Sequence, residues 1–131
     1  MQLTTHISFS GQCEAAFKFY EKALGAKLVF LMTWGASPMA DKAPPDWSTK
    51  VLHATLMVGE VSISGDDQPG TESAPQGYTL ALNTPDIAEA ERLFNALAEN
   101  GKVTMPLEET FWAKRFGMVT DQFGIPWMIN C

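Results

Sequence analysis

A chain of 131 residues with 46% hydrophobic content has the size of one ordinary domain and enough apolar side chains for a core. Its formal charge of -6 argues against nucleic acid as a partner, because neutralising a phosphate backbone takes clustered Lys and Arg. No window approaches the roughly 20 apolar residues that span a bilayer. The first residues show no basic stretch leading into an apolar run, so a cytoplasmic protein with no membrane partner is expected.

In chain order, Thr4 to Phe9 reads as a strand. Gln12 to Leu24 then switches to helical period, with Ala16, Phe17, Tyr20, Ala23 and Leu24 on one face and Gly25 as the stop. Lys27 to Trp34 is rich in β-branched and aromatic residues and reads as a buried strand. The polar stretch Gly35 to Lys50 exceeds an ordinary connection and suggests a lid or binding loop, disorder being the alternative. Val51 to Val58 and Val61 to Gly65 flank Gly59-Glu60, which suits a type II′ hairpin. Asp66 to Gln76 is a polar joint between two halves.

Tyr78 to Asn83 resumes a strand. Asp86 caps a helix with the apolar stripe Ile87, Ala90, Leu93, Phe94 and Leu97, and Asn100-Gly101 ends it. Three strands follow: Lys102 to Met105, Phe116 to Thr120 and Pro126 to Asn130. A shift of 75 residues places Glu14-Ala15 on Glu89-Ala90, Phe19 on Phe94 and Lys27 on Lys102, so the two halves repeat one element order. Only two cysteines occur, Cys13 and Cys131, with no CxxC, and both are expected as reduced thiols.

Several stretches resemble a known family. FYEKALGAKL (Phe19 to Leu28) is similar to the first-helix signature of glyoxalase-type proteins, and HATLMVGEVSISGDD (His53 to Asp67) to the hairpin after it. Gly101 to Cys131, with its Phe-Trp, Arg-Phe-Gly, Asp-x-Phe-Gly and terminal Trp elements, resembles the closing signature of the PhnB-like family of the vicinal-oxygen-chelate (glyoxalase, bleomycin resistance and dioxygenase) superfamily. The resemblance implies an α/β (α+β) fold of tandem βαβββ modules, about 1–70 and 75–131 of a single 1–131 domain, curving around a cavity, and pairing of chains into homodimers. In the superfamily's enzymes a divalent metal sits in that cavity on His or Glu side chains from the first and last strands of both modules.

Counting back from Phe19-Tyr20 without a gap puts the first ligand position on Thr5. Ile7 and Phe9 then share its face and His6 points away, unless a bulge restores it. The other positions fall on Ser62 or Ser64, at Tyr78, and on Met128. None supplies the imidazole or carboxylate that hard cations prefer. No metal or other cofactor is therefore expected, with a divalent metal on His6 as the alternative, and the cavity floor is expected to be apolar, formed by Ile7, Phe9, Leu80, Leu82 and Met128. His53 is the remaining imidazole.

Trp34, Trp47, Phe111, Trp112 and Arg115 lie in or beside the long loops, where an aromatic wall with one cation suits an organic ligand bearing an oxyanion. The plainer alternative has Trp112 and Trp127 packing between modules while Arg115 pairs with Asp121. The candidate ligand-binding residues are accordingly Phe9, Trp34, His53, Tyr78, Trp112, Arg115 and Met128. The expected function is binding of an unidentified small organic molecule, with no catalytic residue assignable. The alternatives are a metal-dependent glyoxalase or dioxygenase relative and a bleomycin-resistance-type sequestering protein. Proteins with this signature are often labelled 3-demethylubiquinone 3-methyltransferase, but no Gly-rich strand-to-helix turn is present to cradle a nucleoside cofactor, and methyl transfer is not expected.

Overall fold

The computed structural model describes residues 1–71 and 77–131. The end of the joint expected at Asp66 to Gln76 lies outside them. The chain divides into two compact units, Met1–Ser73 and Ala74–Cys131, each a four-stranded mixed sheet with one helix. In the first unit, β1 (Thr5–Phe9), α1 (Cys13–Leu24), β2 (Lys27–Thr33), β3 (Val51–Val58) and β4 (Val61–Asp67) form a sheet of order β1-β4-β3-β2. In the second, β5 (Leu80–Asn83), α2 (Ile87–Ala98), β6 (Lys102–Glu108), β7 (Phe116–Thr120) and β8 (Pro126–Asn130) repeat it as β5-β8-β7-β6. The first and last strands of each unit run parallel, because the helix carries the chain across between them.

Both helices lie on their sheets through small residues. A Cβ on Gly65 would come 2.5 Å from the Phe17 ring, and one on Gly117 would come 2.8 Å from Phe94. These glycines are needed for the close approach of a ring and not for a special backbone angle. Phe17 and Tyr20 are fully buried, and burying each is worth about 1.5–3 kcal/mol. That exceeds the ~1 kcal/mol of an N-cap, which α1 lacks locally, since the Gln12 side chain makes no capping bond.

The missing cap comes from a strand. Asp67, fully buried at the end of β4, accepts from the Gly11 and Cys13 amides at 2.9 and 3.0 Å through Oδ1, and from the Val51 amide at 2.9 Å through Oδ2. One carboxylate thus holds the first turn of α1, where the helix dipole favours negative charge, and the start of β3. Helix α2 is capped conventionally, Asp86 accepting from the Ala88 amide at 3.0 Å.

Several expectations change, β5 beginning only at Leu80 and β6 running on to Glu108 among them. The Val61 strand continues through Asp67, because Ser62, Ser64 and Asp66 alternate with Ile63, Gly65 and Asp67 without a break. Strand β2 is an edge strand and not a buried one, with Val29 and Phe30 exposed. The stretch 34–50 is organised as an extension of the β2–β3 hairpin: Trp34 and Gly35 donate to the Lys50 and Ser48 carbonyls at 2.9 Å each, and Ala40–Lys42 forms a 3-10 turn. Both edge strands bear irregularities offset by 75 residues, between Leu28 and Phe30 and between Val103 and Met105. Bulges at edges deter pairing with further strands.

Two stability measurements test this account. Asp67→Asn puts an NH2 group against amide donors and strands at least one of them, so urea unfolding should show a loss of about 2–4 kcal/mol. The Cys13 thiol is pushed well above its ordinary value of 9.0 by burial, then by the charges of Asp67, Asp66 and Glu14. Above pH 9 the unfolded chain therefore releases a proton that the folded chain keeps, and stability falls as pH rises. That alkaline decline should be reduced in Cys13→Ala; an unchanged slope would contradict it.

Candidate functional site

Cross-strand register sorts the side chains of the first unit onto two faces. Ile7, Gly65, Ala54 and Leu31 lie opposite one another under α1. On the other face His6, Ser64, Thr55 and Phe30 form a lateral row across all four strands. Ser8 pairs with Asp66, and Met32 with His53, in the adjoining row. His6 thus takes the open face with no bulge in its strand. Ile7 and Phe9, expected to form the cavity floor, are 6% and 4% exposed, and Phe9 packs edge-on against Phe17 of α1 at 6.2 Å. The gapless count fails because the chain between strand and helix turns through Gly11, at φ 97°, so residue separation there does not report facing.

The open face carries a compact polar and aromatic group. Asp66 Oδ1 accepts from Ser8 Oγ at 2.6 Å and lies 3.3 Å from His6 Nε2, while Oδ2 accepts from Gln68 Nε2 at 2.9 Å. The His6 and His53 rings are nearly parallel, 17° apart with centroids 6.3 Å apart, and His53 lies 5.9 Å from Phe30. Sequence reasoning singled out His53 and His6 separately but missed Phe30 and Asp66. The polar-apolar alternation running on through SISGDD would have revealed Asp66 as a strand residue.

The remaining candidates are dispersed. Trp34 is 8% exposed, its indole N–H donating to the Asp67 carbonyl at 3.4 Å; it buttresses the unit and faces no open space. In the second unit, Leu80 and Leu82 pair with Trp127 and Ile129 on the face under α2, correcting their expected placement. Met128 pairs with Ala81 and Met118 on the open face. Tyr78 stands just before β5, its hydroxyl pKa raised by burial and by the charge of Asp121. Trp112 contacts Phe111 at 4.7 Å and Phe116 at 5.3 Å. Arg115 pairs with Glu91 at 3.7 Å, and its Nη1 donates to the Lys114 carbonyl at 2.7 Å. Asp121 is engaged elsewhere: buried, it accepts from the Phe123 and Ile125 amides and from the Trp127 indole at 2.8, 3.1 and 2.8 Å.

The divalent metal that the resemblance implies would need several anionic or imidazole donors converging on it. Among the described residues no three His, Cys, Asp or Glu side chains group as a metal set. Both Asp66 oxygens are already engaged, and the open face of β5 and β8 presents Ala81, Asn83, Met128 and Asn130, none an anionic or imidazole donor. The residues present do not fit such a site.

Comparison with known proteins agrees with this architecture. Residues 4–129 match the Glyoxalase/Bleomycin resistance protein/Dioxygenase superfamily, and the chain belongs to that superfamily. It is 38% identical to protein YjdN of Escherichia coli strain K12, over 99% of this chain and 95% of YjdN. The crystal structure of PA1353 from Pseudomonas aeruginosa superposes with a TM-score of 0.88 at 44% identity, covering 100% of this chain and 97% of that one. The PhnB protein from Bacillus cereus shares the fold, with a TM-score of 0.85 at 23% identity over 99% and 98% of the two chains.

Burial separates structural from surface roles here. Trp127→Phe removes a buried indole donor from Asp121 and should cost about 2–4 kcal/mol in chemical denaturation. Arg115→Ala, which breaks a surface ion pair and an exposed hydrogen bond to the Lys114 carbonyl, should stay within about 1 kcal/mol of the parent.

Proposed function

We propose that the protein binds a small organic molecule with a planar portion on the open face of its first sheet, as a cytoplasmic homodimer holding no divalent metal. The observation that carries this reading is the aromatic row Phe30, His53 and His6, bordered by the hydroxyls of Ser8, Ser64 and Thr55. Flat π surfaces at 5.9 and 6.3 Å suit a stacked ring, and the hydroxyls supply donors and acceptors to orient it. Dimers are common in this superfamily, which supports the assembly. Among the described residues no helix is long and apolar enough to cross a membrane.

Planar aromatic probes such as 4-nitroanisole, titrated by calorimetry, test the reading. Saturable binding should weaken about 2- to 10-fold in His53→Ala and in Phe30→Ala, the scale of one lost ring contact. Affinity unchanged in both variants would place the ligand elsewhere. Elemental analysis of protein purified without chelator should give well under one divalent metal per chain; a stoichiometric metal lost in His6→Ala would refute the metal-free part.

A further inference from the structure

We propose, building on the binding face just described, that His6 is a general base toward its ligand and that the ligand class is a planar molecule with an acidic hydroxyl, a phenol or an enol. Two imidazoles share this face, and their surroundings differ. Asp66 stands 3.3 Å from His6 Nε2, which selects the tautomer with its proton on Nε2 and leaves the Nδ1 lone pair as the acceptor. Among the described residues no side chain or amide occupies Nδ1. His53 has ring contacts with His6 and Phe30, and among the described residues no carboxylate pairs with it.

Proton transfer therefore favours His6. The ligand O–H bond breaks, an N–H bond forms at Nδ1, and the electron pair stays on the ligand oxygen. The new imidazolium faces the Asp66 carboxylate, 3.3 Å from its Nε2. Asp66 in turn is held by Ser8 Oγ at 2.6 Å and Gln68 Nε2 at 2.9 Å, so it cannot swing away when the charge appears. The groups around His6 are Asp66 and Ser64 from β4, Ser8 from its own strand, His53 and Thr55 from β3 and Phe30 from β2; α1 covers the opposite face. No oxidant or metal enters the step. Asp66 acts as a positioning residue, since it reaches the ligand only through His6.

The test compares 4-nitrophenol, whose ionised form is read by its visible absorbance, with 4-nitroanisole, which has the same ring and no proton to give. On the wild-type protein the acid dissociation constant of bound 4-nitrophenol should rise at least ten-fold over its value in water. In His6→Gln, which removes one ring of the row, 4-nitroanisole should bind about 2- to 10-fold more weakly, while nitrophenol held at saturating protein should show only the acidity it has in water; in Asp66→Asn the rise should shrink without vanishing. If both probes bind and the acidity is unchanged, or the rise persists in His6→Gln, the proton-transfer role is overturned and the binding face stands. If neither probe binds saturably, the binding face and the base fall together.

Discussion

A single buried carboxylate ties the first unit together. Asp67 ends β4, and its two oxygens take three backbone amides, two at the opening of α1 and one at the start of β3. Burying an ionised group is costly unless hydrogen bonds replace its hydration, and those three bonds do so. The arrangement also supplies what α1 cannot make for itself, an acceptor for its first amides. Because strand side chains alternate, fixing Asp67 inward fixes its neighbour Asp66 outward, where it meets His6. The stability of the unit and the aim of its polar face thus come from adjacent residues of one strand.

The second unit solves the same problem differently. Its buried carboxylate, Asp121, gathers a tight turn and the Trp127 indole, while α2 carries its own cap in Asp86. The shared features lie in the packing: a glycine under an aromatic ring in each unit, and an irregular edge strand 75 residues from its counterpart. What has diverged is the open face. The first unit presents His6, His53 and Asp66, whereas the second presents Ala81, Asn83, Met118 and Met128, with Lys102 and Glu108 on its edge strand. A duplicated scaffold with chemically unequal faces gathers both of its imidazoles on one module.

Much of this was legible in the residues. Helices read from a 3.6-residue stripe are found where Phe17, Tyr20, Leu93 and Phe94 required them, since an apolar stripe has nowhere to go but onto a sheet. The Gly59 turn, at φ 61°, and the last two strands fall where expected. Less legible were the ends of β4 and β6, because Asp66-Asp67 in the one and Pro106 in the other look like loop until the pairing partner is known. The burial of β2 was misjudged for a related reason: an apolar edge strand and an apolar central strand have the same composition.

The sequence alone determined the element order, the internal repeat, the superfamily and which residues alternate with which. Alternation is a property of the extended backbone and needs no partner. Only the tertiary structure decided which of the two faces each alternating set occupies, because that depends on where the helix comes to rest. It rests over Gly65, sending Ile7 and Phe9 beneath α1 and leaving His6 in the open with His53 and Asp66. Those three residues are far apart in the chain, and only the pairing of β1, β3 and β4 makes them neighbours.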